Sequence, residues 1–159
     1  MNLPAPAPSP PTVPALRVLL LDDDVFMLEL LADMVTSLGQ HTVTCETSSL
    51  RALELLRANG PDLLICDLGL PELDGIELLR MLAEQGFDGA VVLLSGLDVG
   101  VLRAAERLAR AQGLALLGAC AKPLARERLA ALLAQAAARP RHAGVGVGTT
   151  PGMAPGVAP

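Results

Sequence analysis

The stretch Leu19-Leu20-Leu21-Asp22-Asp23-Asp24 joins a short apolar run to three consecutive acidic residues, and it decides the fold class of this chain. An apolar run of this length is typical of a short buried strand. Adjacent carboxylates repel one another unless a cation offsets their charge. The stretch therefore predicts a buried strand that ends at a cation-binding site.

Three further apolar runs each lead into a polar or charged residue. These are Leu63 to Cys66 before Asp67, Ala90 to Leu94 before Ser95, and Leu114 to Leu117 shortly before Lys122. In open α/β sheets, ligands bind at the carboxyl ends of parallel strands. If the strands are parallel, the carboxylates, the hydroxyl and the ammonium group converge on one site.

Strand-like and helix-like patterns alternate along the whole chain from Leu16. Five of each give a (βα)5 chain, which predicts an α/β fold with a doubly wound parallel five-stranded sheet, covered by helices on both faces. We expect positive-φ glycines to end four helices, at positions 39, 60, 86 and 113, and Asp98 to cap the start of one. The predicted strands are Arg17 to Leu21, His41 to Cys45, Leu63 to Cys66, Ala90 to Leu94 and Leu114 to Ala119. The predicted helices are Val25 to Leu38, Ser48 to Ala58, Gly75 to Gln85, Val99 to Gln112 and Leu124 to Ala138.

A length of 159 residues gives room for one core of ordinary size. We predict a proline-rich disordered arm over 1–14, one domain over 15–138, and a disordered tail rich in glycine and proline over 139–159. No apolar stretch approaches the ~18 residues of a membrane span. The amino end does not resemble a secretion signal, so the expected location is cytoplasmic, without membrane contact.

The net charge and the cysteine content indicate which kinds of partner and which redox compartment the chain is suited to. A net charge of −5 argues against direct nucleic-acid binding, since phosphate contacts need a basic surface. The odd cysteine count fits a reduced compartment, and we expect Cys45, Cys66 and Cys120 to be small buried hydrophobic residues. His41 follows a glycine turn and is expected at the surface.

The residue types at the strand ends suit phosphoryl transfer. Asp22 and Asp23 can hold Mg²⁺, which binds one or two carboxylates and keeps several waters. Asp67 can add a ligand or be the nucleophile, because carboxylates accept phosphoryl groups. Lys122 can bind one transferred phosphoryl oxygen, and the Ser95 hydroxyl can donate to another. This chemistry needs mainly positioning and charge neutralisation.

Together these motifs resemble the response-regulator receiver domain of two-component signalling. The resemblance covers roughly residues 16–138, and the strand order it implies is the flavodoxin-like 2-1-3-4-5. It rests on four segments in the family's order: Leu19-Leu20-Leu21-Asp22-Asp23-Asp24, Asp67-Leu-Gly-Leu-Pro71-Glu-Leu-Asp74-Gly75, Leu93-Leu94-Ser95-Gly96 and Lys122-Pro123.

The resemblance implies an Mg²⁺ site. Asp23 would bind the ion directly, Asp22 would hold it mostly through water, and Asp67 would be both a ligand and the phosphoacceptor. The backbone carbonyl of Gly69 would complete the protein's ligands, so the lack of a side chain there does not prevent binding.

The resemblance also implies catalytic roles for Asp67, Ser95 and Lys122. A partner histidine kinase or histidine phosphotransfer protein would donate the phosphoryl group. The domain would catalyse its own phosphorylation and a slow hydrolysis without being an enzyme in the ordinary sense. Phosphorylation would then change the surface of helix 4, strand 5 and helix 5, where a downstream protein would bind. A homodimer is a further possible partner state. A cis bond before Pro123 is frequent in the family.

The chain departs from the family pattern in two places. Ala119 stands where relatives often have an aromatic residue that swings inward on phosphorylation. The stretch from Ser95 to Lys122 reads as longer than usual, which predicts a long fourth helix, similar to that of receivers fused to EAL-type cyclic-di-GMP phosphodiesterases. The apolar stripe of that helix consists of Leu102, Ala105, Leu108 and Ala109.

Two other functions stay open. A receiver-like docking module would act by protein contact without phosphorylation, and Ala119 favours it. An Mg²⁺-dependent phosphohydrolase would need a general acid two residues beyond Asp67, where Gly69 stands. Local structure alone also accounts for Asp24, as an acid in a first helical turn, and for Asp74, as part of an Asp-Gly turn.

Overall fold

The computed structural model describes residues 2–9, 13–58, 60–96 and 98–140. In these ranges five strands and five helices alternate, as predicted. The strands are β1 (Arg17–Leu21), β2 (Thr42–Glu46), β3 (Leu63–Asp67), β4 (Ala90–Ser95) and β5 (Ala115–Ala121). The helices are α1 (Val25–Ser37), α2 (Ser49–Ala58), α3 (Gly75–Glu84), α4 (Val99–Ala111) and α5 (Arg126–Ala138). Among the described residues, no helix is both long and apolar enough to span a membrane.

The strands form one parallel sheet in the order β2-β1-β3-β4-β5. The predicted doubly wound, flavodoxin-like α/β fold is therefore confirmed. Leu21 at the end of β1 pairs with Cys66 of β3, and Asp67 pairs with Leu94 of β4. The residues that end or follow these strands consequently meet at one edge of the sheet.

Helices cover both faces of the sheet, and alternate strand residues enter two separate cores. On one face, α2, α3 and α4 bury Leu19 and Leu64. On the other face, α1 and α5 bury Leu20 and Ile65. Strands β3 and β4 are buried along their whole length, as the central strands of a parallel sheet are. Burying one such side chain contributes about 1.5–3 kcal/mol to stability.

Aspartates cap three of the helices. The Asp24 carboxylate accepts a hydrogen bond from the Phe26 N–H at 2.9 Å and caps α1. Asp74 caps α3, and Asp98 caps α4 as predicted. Helix capping therefore explains the presence of an aspartate at positions 24 and 74 without a role in the acid cluster.

Some predicted helix ends were wrong. Gly86 and Gly113 have φ values of 70° and 81°, but Gly39 and Gly60 do not have positive φ. Helix α1 instead ends at Ser37, and its C-cap residue Leu38 donates its N–H to the Val35 carbonyl of the last turn. Helix α5 begins two residues later than predicted, because its N-cap residue Ala125 has an extended backbone, and Leu124 is buried in the core just before it.

Helix α4 is not unusually long. Its 13 residues equal the length of α1 and of α5. Leu102, Ala105 and Ala109 of the predicted stripe are buried against the sheet and are therefore core residues. The similarity to EAL-type regulators loses this support and stays a prediction.

Burial was predicted wrongly for His41 and for two cysteines. His41 is buried, and its Nδ1 accepts the Leu16 N–H at 3.1 Å. Cys66 is buried as expected, but Cys120 is half-buried and Cys45 is exposed. Cys45 lies on β2, an edge strand that the helices cover only partly.

We expect the buried His41 to make stability depend on pH. Burial lowers the pKa of His41 from its ordinary value of 6.5, and the bond from Leu16 needs an unprotonated Nδ1. Unfolding therefore takes up a proton below about pH 6.5, so the free energy of unfolding falls as the pH decreases from there. Urea unfolding followed by circular dichroism at several pH values between about 7.5 and 5.5 measures this slope.

The control for this prediction is the other histidine, His142, which lies outside the described residues. The slope should decrease in His41→Leu and persist in His142→Gln. A slope that is the same in His41→Leu as in the wild type would show that other groups cause it.

Candidate functional site

The sheet brings four of the predicted site residues to its carboxyl edge. Asp67 and Ser95 are the last residues of β3 and β4, and Asp22 and Lys122 directly follow β1 and β5. Backbone hydrogen bonds continue the sheet past these ends. The Lys122 N–H, for example, donates to the Ser95 carbonyl at 2.9 Å.

Three carboxylates form a cluster at this edge. One oxygen each of Asp22, Asp23 and Asp67 lies within 4.8 Å of the others. Asp22 and Asp67 are only 1% and 6% exposed, whereas Asp23 is exposed to solvent. Two buried carboxylates at this separation need positive charge nearby.

Lys122 supplies part of that charge. Its Nζ lies 2.8 Å from Asp22 Oδ2 and 3.1 Å from Asp67 Oδ2. Burial acts to lower the pKa of Lys122, but the bonds to Asp22 and Asp67 outweigh it and raise the pKa above its ordinary value. The ammonium group is therefore charged at neutral pH. One positive charge against three carboxylates leaves the cluster negative, which suits a divalent cation such as Mg²⁺.

Both oxygens of the Asp67 carboxylate have a donor. Oδ2 faces Lys122, and Oδ1 accepts the Gly69 N–H at 3.1 Å. A Cβ at Gly69 would lie 3.6 Å from Asp67 Oδ1, an ordinary contact distance. Gly69 thus touches the phosphoacceptor candidate through its amide, while the metal role of its carbonyl stays a prediction.

The three consecutive acids have three different environments. Asp22 is buried, and its Oδ1 accepts the Asp24 N–H at 2.9 Å. The Asp24 side chain turns away to cap α1. Asp23, exposed and within the cluster, is the acid that an incoming cation can reach most directly.

We therefore expect Asp23→Ala to weaken Mg²⁺ binding at least about tenfold and Asp24→Ala to change it less than about twofold. Asp24→Ala removes a helix cap and should lower the free energy of unfolding by about 1 kcal/mol instead. Isothermal titration calorimetry and urea unfolding measure the two effects. Equal losses of Mg²⁺ affinity would contradict the assignment of Asp23.

The residues around the cluster agree in part with the family pattern. Ser95 is fully buried at the end of β4. The Lys122–Pro123 peptide bond is cis, as the resemblance implies. Ala119 is half-buried and packs against the core under α4. Because the residue is an alanine, this position has no aromatic ring that could swing inward.

Sequence reasoning missed the ion pair between Asp22 and Lys122. It assigned Asp22 to the metal ion and Lys122 to the phosphoryl group, although the two residues are a hundred positions apart and bond directly. The signal that could have revealed it was the presence of opposite charges at ends of strands in one parallel sheet.

Comparison with known proteins agrees with this geometry. Residues 18–134 match the response regulator receiver domain family. The chain belongs to this family. Over 84 residues the receiver domain is 33% identical to the response regulator MprA of Mycobacterium ulcerans, covering 53% of this chain and 36% of MprA. It is also 33% identical over 82 residues to the Regulator of RpoS of Escherichia coli, covering 52% of this chain and 24% of that protein.

Solved structures resemble the whole receiver domain. A response regulator from Colwellia psychrerythraea is 36% identical with a TM-score of 0.66, covering 76% of this chain and 95% of that one. The signal receiver domain of an HD domain-containing protein from Pseudomonas fluorescens is 26% identical with a TM-score of 0.67, covering 77% of this chain and 94% of that one. The matched region spans about a third or less of the two curated relatives' length.

Proposed function

We propose that this receiver domain accepts a phosphoryl group on Asp67, with Mg²⁺, from a partner histidine kinase or histidine phosphotransfer protein. The contact of Lys122 Nζ with both Asp22 Oδ2 and Asp67 Oδ2 supports this most, at 2.8 Å and 3.1 Å. It holds a fixed positive charge against the candidate nucleophile, beside carboxylates that suit a cation. The functional unit is 15–138, with a cytoplasmic location.

The residues present fit an Mg²⁺ ion. Asp22, Asp23, Asp67 and the Gly69 carbonyl would hold it, and the clustered carboxylate oxygens lie within 4.8 Å of one another. When bound, Mg²⁺ supplies charge that offsets the charge of the phosphoryl oxygens.

In the transfer, an Asp67 carboxylate oxygen forms a bond to phosphorus as the phosphorus–nitrogen bond of the donor phosphohistidine breaks. The electron pair stays on the donor imidazole, which takes up a proton. Lys122 moves from the carboxylates to a phosphoryl oxygen, and the Ser95 hydroxyl donates to another. Hydrolysis of the acyl phosphate slowly restores Asp67.

The signal leaves through α4, β5 and α5. Ser95 and Lys122 end β4 and begin the loop after β5, so their shift toward a new anion biases an equilibrium between two arrangements of these loops. A downstream protein that prefers one arrangement reads the state. Because Ala119 lacks an aromatic ring, this path runs without a ring rotation at that position.

The test is incubation with acetyl phosphate and Mg²⁺, followed by intact mass measurement. We expect a gain of one phosphoryl mass that is lost in Asp67→Asn and in the presence of a chelator. Labelling of Asp67→Asn at the wild-type level would place the phosphate elsewhere. A wild-type chain that binds Mg²⁺ but takes phosphate neither from acetyl phosphate nor from histidine kinases would favour the docking module, in line with Ala119.

A further inference from the structure

Charge is divided unevenly along the chain. Residues 1–98 contain fifteen acidic and four basic residues, whereas residues 99–159 contain two acidic and eight basic ones. The second part supplies α4, β5 and α5, which form the β5 side of the sheet. Although the net charge of the chain is negative, the β5 side is therefore basic. Of its basic residues, only Lys122 belongs to the phosphoacceptor site.

Helix α4 presents a stripe of arginines. Arg103, Arg107 and Arg110 are spaced by four and three residues, so they lie on one face of the helix. All three are exposed, and the buried residues of α4 lie on its other face. Glu106 is the one acid in this helix, and it pairs with Arg110 at 3.3 Å.

Two arginines also reach the edge strand β5 from opposite faces of the sheet. Arg110 Nη1, from α4, lies 3.5 Å from the Leu116 carbonyl. Arg128, from α5, lies over Gly118, where an added Cβ would come within 2.9 Å of its Nη2. Arg126 differs, because it turns to the Ser37 hydroxyl of α1. We call Arg103, Arg107, Arg110 and Arg128 the basic edge.

We propose that the basic edge binds an acidic segment of the downstream partner protein. This rests on the proposed function, since the partner is the one that reads the phosphorylation state. Complementary charge fixes the orientation of a partner and speeds its association. The strand between the arginines carries only small side chains at Gly118, Ala119 and Ala121, so carboxylates can approach the guanidinium groups without displacing a bulky residue.

A second copy of the chain is a poorer occupant. A two-fold symmetric dimer through this face would place the basic edge against itself, and like charges would repel. A nucleic acid is also a poorer occupant. Duplex binding relies on many Lys and Arg contacts to phosphates, whereas the basic edge has four arginines, of which Arg110 is already paired with Glu106.

The probe for the test is a fluorescein-labelled fifteen-residue helical peptide with glutamates spaced by three and four residues. Its anisotropy is titrated with the wild-type chain and with Arg103→Glu/Arg107→Glu. The matched control is Arg51→Glu/Arg57→Glu, which makes the same charge change at two exposed arginines of α2. We expect roughly a tenfold loss of affinity in the α4 variant and less than about twofold in the control.

Three results would overturn the inference. Equal losses in both variants would show that only overall charge matters, and absence of peptide binding would show that the basic edge does not recognise carboxylates. Tighter binding of a labelled oligonucleotide or of phosphatidylserine vesicles than of the peptide would assign the edge to another partner class. Phosphorylation by acetyl phosphate should be unchanged in Arg103→Glu/Arg107→Glu, so failure of this inference is distinguishable from failure of the proposed function.

Discussion

Lys122→Met is expected to slow phosphoryl transfer to Asp67 at least about a hundredfold and, at the same time, to tighten Mg²⁺ binding several-fold. The two effects have opposite signs because the proposed function gives Lys122 two roles. It would neutralise the transferred phosphoryl group, whereas in the unphosphorylated protein it lies 2.8 Å from Asp22 and 3.1 Å from Asp67 and would compete with a cation for them. Met keeps much of the side-chain length and removes the charge.

The same substitution should also make stability depend on Mg²⁺. Without Lys122, two carboxylates that are 1% and 6% exposed face each other without their ion pair. In chelator we expect a loss of about 2–3 kcal/mol in the free energy of unfolding. Millimolar Mg²⁺ should recover part of this loss, because an ion that binds only the folded state stabilises it.

Intact mass after timed exposure to acetyl phosphate, calorimetric titration with Mg²⁺ and urea unfolding measure the three effects. Arg126→Met is the matched control, since it removes an exposed cation that binds Ser37 and lies outside the acid cluster. Weaker Mg²⁺ binding in Lys122→Met would contradict the competition between Lys122 and the metal ion.

Leu129→Ala is expected to lower the free energy of unfolding by about 3–5 kcal/mol. Leu129 of α5 is fully buried in the core that α1 and α5 form on the sheet. Truncation to Ala leaves a cavity in a close-packed interior, and the loss is a large fraction of the ~5–15 kcal/mol that stabilises a typical domain.

Urea unfolding by far-ultraviolet circular dichroism suits this measurement, because the chain contains no Trp or Tyr. Leu50→Ala makes the same chemical change at a leucine that is 56% exposed. The control should cost less than about 1 kcal/mol. Similar losses in the two variants would mean that the α5 core does not dominate stability.

Much of the fold could be predicted because the local signals are strong. Apolar runs of three to five residues between amphipathic segments predict a parallel sheet, and all ten elements lie within a few residues of their predicted bounds. The errors are at the ends. Gly39 and Gly60 lack positive φ, and Leu124 precedes α5 instead of opening it, because capping and burial compete over one or two residues at each helix end.

The candidate site could be predicted as a set of groups. Asp22, Asp23, Asp67, Ser95 and Lys122 all stand at strand ends of one sheet edge, and a parallel sheet collects such ends. Their roles in metal binding and phosphoryl transfer stay predictions until the phosphorylation and Mg²⁺ experiments are done.

By itself, the sequence determined the order of strands and helices and the chemical groups available at the sheet edge, because both depend on residue type and local spacing. Only the tertiary structure decided which groups meet. Lys122 bonds Asp22, a hundred residues away, His41 is buried by its contact with Leu16, and Cys45 is exposed because β2 is an edge strand. Such pairings depend on distances across the sheet, and burial depends on which helix covers which strand. Neither these distances nor this burial can be predicted from a local stretch of the sequence.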